Sequence, residues 1–232
     1  FINRAYADND LEELEQFGHE RYTAMISWIN QRIYKQETSI HWKLFVFLHN
    51  LVPTRCFELG HKAAFLYIKL LFESCFNSYK DFIYDVTLDP SMLDFLNLAL
   101  SQKDTPDENY AREVQELFTV GKRPFAKFTV KDVREIARAL VVSEGTDPHV
   151  FFEDYNHDTG DKEFSSFYNN QTIRGKSGDD GQQELQEVVD MLFNTEESGI
   201  YLCRRLYQFF VYPVLTPEIE FQIIAPLAQV FK

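Results

Sequence analysis

Thr105-Pro106-Asp107-Glu108-Asn109-Tyr110-Ala111-Arg112-Glu113-Val114-Gln115-Glu116-Leu117-Phe118-Thr119-Val120-Gly121 reads as a complete helix, from start signal to stop signal. Thr105 stands where an N-cap belongs, and Pro106 takes the first helical position. Glu108 follows three residues after the cap, so Thr105 and Glu108 match a capping box. Asp107 and Glu108 put negative charge in the first turn, where the helix dipole favours it. Gly121 supplies a left-handed exit. Tyr110, Val114, Leu117 and Phe118 recur at i, i+4, i+7 and i+8 and predict the core face of a helix over 106–120. Asn109, Arg112, Glu113 and Glu116 form the remaining stripe, with Glu108 and Glu116 each four residues from Arg112. The plain reading of that stripe is a solvated, salt-bridged face.

The same grammar extends outward in both directions. Apolar periodicity predicts an opening pair of helices, Asp10 to Phe17 and Glu20 to Tyr34, broken near Gly18. His41 to Asn50 follows, closed by Pro53. Glu58 to Asn77 is the longest apolar stretch, but Lys62, Lys69 and Glu73 make it a buried helix and not a membrane span. Tyr79 to Leu88 comes next. Asp89-Pro90 then reads as a cap and first-position proline for Met92 to Leu100. Thr129 and Asp132 suggest a second capping box for a helix through Ala139. Gln182 to Phe193, a helix capped by Thr195 and running to Tyr212, and one started by Thr216-Pro217 complete the set. Residues 145–180 are rich in Gly, Asp, Asn and Ser and read as a long irregular insertion. The predicted fold is therefore all-α, one compact multi-helix domain over 1–232 with that loop inserted.

Composition narrows the partners. Phe is unusually frequent, at 22 of 232 residues, in a chain long enough to bury a sizeable core. Lys and Arg number 23 against 36 Asp and Glu, a net charge of −13. Phosphate neutralisation needs clustered cations, so nucleic acid and anionic membrane surfaces are poor partners. Cys56, Cys75 and Cys203 show no CxxC spacing and build no disulfide framework, though one bridge among them is compatible with the sequence. The chain opens at Phe1, which reads as a trimmed or processed piece. It shows no signal peptide and no long uncharged apolar run.

Three segments together resemble a bacterial family known as domain of unknown function 1800. The first is Asp89-Pro90-Ser91-Met92-Leu93 running into Asp107-Glu108-Asn109-Tyr110-Ala111-Arg112-Glu113 and Glu116-Leu117-Phe118-Thr119. The second is His157-Asp158-Thr159-Gly160 with Lys162 and Phe164. The third is Cys203-Arg204-Arg205-Leu206-Tyr207-Gln208-Phe209-Phe210-Val211-Tyr212. His49-Asn50 is similar to part of a histidine-asparagine-histidine element, with Leu51 in place of the second histidine. Asp107 also stands where the family usually has Asn. The resemblance implies an exported bacterial protein, extracytoplasmic, longer than this chain and continuing past Lys232. It implies no particular reaction.

Each polar constellation has a functional and a plain reading. Two histidines around Asn50 would suit a metal or a general base. With His49 alone, a hydrogen-bonded core residue is the simpler account. Asp154, Asn156 and Asp158 alternate as hard oxygen donors suited to Ca²⁺. Gly160 and Ser165 break the EF-hand pattern, so Asx turns in a solvated loop compete. Glu108, Glu113, Glu116, His157 and Asp158 are the candidate catalytic set, because carboxylates with divided pKa values and an imidazole are hydrolase equipment. The competing account is a structural ion network of Asn109, Arg112, Glu113 and Glu116 with Arg204 and Arg205. No GxSxG, HExxH, P-loop or Rossmann fingerprint occurs, and no cofactor is expected. The reading is a noncatalytic structural or interaction module with a protein partner at the cell surface or in a larger assembly. The alternative is a hydrolase acting on an extracytoplasmic polymer through a carboxylate/histidine site. The two separate on whether Glu113 and His157 share an open cleft.

Overall fold

The computed structural model describes residues 11–35, 39–56, 59–124, 126–141, 143–144, 150–151 and 156–231. The protein is mainly helical. The chain forms two units, residues 1–77 and 78–232.

The first unit holds α1 (Leu11–Lys35), α2 (His41–Leu51) and α3 (His61–Glu73), the last ending in a 3₁₀ turn, Ser74–Phe76. α1 is continuous, where the sequence suggested a break near Gly18; one glycine costs a helix only about 1 kcal/mol. α3 packs on both α1 and α2. Its core is aromatic. Trp42 meets Phe72 at 4.9 Å and Phe45 at 5.5 Å. The His41 ring stacks on Phe72 at 3.9 Å while its Nε2 meets the Phe72 carbonyl at 2.8 Å. Tyr67, fully buried, donates its hydroxyl to the Val52 carbonyl, closing the turn that Pro53 begins. His49 is half-buried against Phe45, and burial pushes its pKa down.

The second unit begins with α4 (Tyr79–Thr87) and α5 (Pro90–Phe95). Asp89 caps α5 as expected, accepting from Ser91 N at 2.8 Å with Pro90 at the first position. The 3₁₀ turn Leu98–Leu100 leads to α6 (Glu108–Glu113), which continues as a π-helix over Val114–Thr119. The start differs from the sequence reading. Asp107 is the cap, accepting from Asn109 N at 2.7 Å, and Thr105 instead bridges Gln102. The core face differs too. Tyr110, Ala111, Val114, Gln115, Phe118 and Thr119 are buried, while Leu117 is 37% exposed. The cause is the winding: hydrogen bonds to the fifth residue widen each turn, so buried positions fall four apart. Val120 N reaches the Gln115 carbonyl at 2.9 Å, and Thr119 Oγ1 reaches the Val114 carbonyl at 2.6 Å. Tyrosine hydroxyls serve the polar groups that this winding exposes. Tyr79 donates to the Phe118 carbonyl and Tyr201 to that of Leu117, while Tyr168 donates to Gln115 Oε1.

Gly121 ends the segment at φ 87°. A Cβ there would lie 2.8 Å from Tyr201 Cδ2. Gly121→Ala should therefore lower stability by about 1–3 kcal/mol from the left-handed backbone alone. An unchanged urea midpoint would show that the exit is not constrained.

α7 (Val130–Ala139) has the full Thr129–Asp132 capping box. Two short antiparallel ribbons follow: β1 (Ser143–Glu144) with β2 (Val150–Phe151), and β3 (Lys162–Glu163) with β4 (Thr172–Ile173). Then come α8 (Gly181–Phe193), α9 (Glu196–Phe210), α10 (Pro217–Ile219), a π turn over Glu220–Ile224, and α11 (Ala225–Phe231). Thr195 and Thr216 cap α9 and α10. α8 packs on α4, α7 and α9, and α11 folds back along α9 around Cys203, Ile224 and Ala228. All three cysteines are free thiols. Among the described residues, no helix is long and apolar enough to cross a membrane.

Candidate functional site

The charged residues of the second unit converge where the irregular loop meets α7 and α8. Asp158-Thr159-Gly160 forms an Asx turn, with Asp158 Oδ1 accepting from Gly160 N at 2.8 Å. The turn reverses the chain so that Lys162 lies over its own loop and donates to the Asp158 carbonyl. β3 then alternates in the usual way. Lys162 points inward, Glu163 outward, and Phe164 inward at 4% exposure. The turn is tight: a Cβ on Gly175 would sit 1.9 Å from the Thr159 carbonyl oxygen.

Lys162 Nζ meets Glu184 Oε2 at 2.5 Å, and neither side chain has any exposed surface. His157 completes the group. Its Nε2 faces Glu184 Oε1 at 3.2 Å and its Nδ1 faces the Val141 carbonyl at 2.9 Å. Both ring nitrogens are thus engaged. Lys176 N–H also donates to Glu184. Burial works against the Glu184 charge, but the hydrogen bonds from His157 and Lys162, the Lys162 charge and the Lys176 amide outweigh it. The carboxyl is held below the usual range.

α7 holds the outer side of the same loop. Asp132, Glu135 and Arg138 recur every three residues, on one helical face. Asp132 takes Ser165 N and Ser165 Oγ, each at 2.7 Å. Glu135 accepts from Glu163 N at 3.1 Å. Arg138 holds Asp158 with Nε at 2.6 Å and Nη2 at 3.1 Å, and Glu135 with Nη1 at 2.6 Å. Burial opposes the Asp158 charge, and the Arg138 hydrogen bond and the Gly160 amide more than offset it, so its pKa is also lowered.

These shifts set an acid limb. A carboxylate with a depressed folded pKa stabilises above its unfolded value and loses that contribution as pH falls through the folded value. Glu184 and Asp158 should therefore make unfolding easier below the usual carboxylate range. Glu184→Gln should flatten that limb in a series of melts from pH 7 to pH 3, and an unchanged profile would assign the limb to other groups.

The candidates singled out in the sequence do not assemble. Arg112 pairs with Glu108 at 3.3 Å, and Glu116 with Lys122 at 3.5 Å. Asn109 is exposed. Neither Glu113 nor Glu116 makes an ion pair with Arg204 or Arg205, so the expected clamp between α6 and α9 is not formed. Arg204 instead holds Glu220 with Nε 2.7 Å from Oε1, joining α9 to the π turn. Glu113 Oε2 is buried without a hydrogen-bond partner, and its charge, like that of Arg205, bears on Tyr201. No hydrogen bond or ion pair joins Glu108, Glu113 or Glu116 to His157 or Asp158. Of the proposed oxygen ligands, Asp154 lies outside the described residues. Asn156 donates to the Ser101 carbonyl at 3.4 Å, and Asp158 is engaged by Arg138. No group of three metal-ligating side chains occurs among the described residues.

Glu184, Glu135 and Arg138 escaped the sequence reading, and Lys162 was noted only as a motif residue. The three-residue spacing of Asp132, Glu135 and Arg138 was the available signal. Glu184 sits among ordinary helix-opening polar residues and carries no local mark.

A family profile described as a protein of unknown function (DUF1800) matches residues 4–232. No curated protein and no solved structure matches the chain.

Proposed function

The chain belongs to the DUF1800 family, and from that membership and the closed geometry of its charged centre we propose a noncatalytic structural or interaction module of an exported bacterial protein, working outside the cytoplasm with a protein partner. The observation that supports this reading is the state of Glu184. Its carboxylate is fully buried and shared among Lys162, His157 and a backbone amide. A catalytic carboxylate must reach substrate, and a catalytic imidazole must present one free nitrogen to it. His157 is 2% exposed with both nitrogens engaged. The motif residues His157, Asp158 and Lys162 then serve to fasten the loop to α7 and α8. The net charge of −13 favours a protein partner over nucleic acid.

Stability separates this from the hydrolase reading. Replacing an active-site residue commonly leaves a protein as stable or more so, because such sites hold unfavourable charge. Replacing a fastening residue destabilises. Melting curves of His157→Gln and Asp158→Asn should both shift down. If both variants melt at or above the parent temperature, the structural reading fails and a carboxylate/histidine hydrolase becomes the better account.

A further inference from the structure

Arg112 and Glu116 belong to the motif on α6 and its π continuation, yet their side chains are left outside both the core and the charged centre. They open onto a groove of about 440 Å³ at the start of α7. That volume lies within the roughly 300–1,000 Å³ span of small-molecule sites. Val130, 64% exposed, gives it an apolar floor together with the edge of Phe128. Arg112, Lys122 and Arg123 line it, against one carboxylate, Glu116. This is a locally cationic groove on a chain of net charge −13.

The three cations differ in what occupies them. Arg112 uses one nitrogen on Glu108, at 3.3 Å, and Arg134 shares that carboxylate at 3.7 Å. Lys122 makes a loose contact with Glu116 at 3.5 Å and stays 60% exposed. Arg123 is exposed and makes no hydrogen bond or ion pair among the described residues. A guanidinium presents a planar fork that matches a carboxylate through two parallel hydrogen bonds. A phosphate dianion fits less well, because Glu116 stands beside Lys122 and would repel the second charge. It would also leave the apolar Val130 side chain uncovered.

We propose that this groove binds a small organic carboxylate, its apolar body on Val130 and the edge of Phe128 and its anion on the Arg123 guanidinium with Lys122 or Arg112 beside it. The site is independent of the charged centre, so it stands or falls apart from the noncatalytic reading.

Isothermal titration of the full 232-residue chain tests it, with 4-phenylbutyrate, its neutral amide and inorganic phosphate as probes. The carboxylate should bind, and more weakly as salt rises. The amide should bind about tenfold more weakly, having lost the charge-assisted hydrogen bonds. Phosphate should also bind more weakly than 4-phenylbutyrate. Arg123→Ala should weaken 4-phenylbutyrate by about tenfold with an unchanged melting temperature. The proposal is overturned if 4-phenylbutyrate gives no saturable heat, if the amide binds as tightly, or if Arg123→Ala has no effect. Phosphate binding as tightly as 4-phenylbutyrate would remove the apolar floor from the account and overturn the ligand class. The ligand series on the unaltered chain decides the matter even if Arg123→Ala shifts the melt.

Discussion

Glu184→Leu should destabilise the protein by about 3–5 kcal/mol, because it strands the buried Lys162 ammonium and removes the acceptor facing His157 Nε2. At this chain length each kcal/mol moves a melting temperature by about 2–4 °C, so a fall of roughly 10 °C is expected. The size follows from closure. Neither the Lys162 nor the Glu184 side chain reaches solvent, so water cannot replace the lost partner. Lys162→Met should cost less than Glu184→Leu, since Glu184 keeps His157 and the Lys176 amide as donors. The double variant, Lys162→Met with Glu184→Leu, should recover part of the loss, because removing both charges of a buried pair is often near neutral. A Glu184→Leu loss below about 1 kcal/mol would match an exposed pair and contradict the burial.

Phe118→Ala should cost about 3–5 kcal/mol, and Leu117→Ala much less. Phe118 is 2% exposed, packs near Tyr110 at 6.3 Å, and its carbonyl takes the Tyr79 hydroxyl. Leu117 is 37% exposed. The contrast tests the winding and not merely the presence of a helix. A regular α-helix over 106–120 would bury both side chains and make the two losses comparable. Urea unfolding of both variants decides it, and equal losses would reject the π segment.

What was legible in the sequence was local. Asp89, Thr129 with Asp132, Thr195 and Thr216 all cap where their spacing predicted, because a cap is settled within four residues. The same local rules misplaced one start. Thr105 and Asp107 are both good caps in sequence, and only the bridge of Thr105 to Gln102 leaves Asp107 as the one used. Leu117 was misread because periodicity assumes 3.6 residues per turn, and nothing in Val114–Thr119 announces a wider one. Partner choice among charges was not legible at all. Arg204 pairs with Glu220, sixteen residues on, and not with the α6 carboxylates that the sequence suggested. His157 and Asp158 were found, but their partners Glu184 and Arg138 come from helices 27 residues after and 20 before them.

The irregular loop has one further property. Several of its amide hydrogens are given to buried carboxylates and not to another stretch of backbone: Glu163 to Glu135, Ser165 to Asp132, Lys176 to Glu184. Exchange with deuterated water requires that such a bond open and water enter. Breaking any one of these bonds leaves a buried carboxylate short of a donor, so brief local fraying is disfavoured. These three amides should exchange as slowly as those within α7 and α8. A segment with only short strands and turns of its own would then behave, over minutes to hours, as part of the slowest-opening body of the second unit.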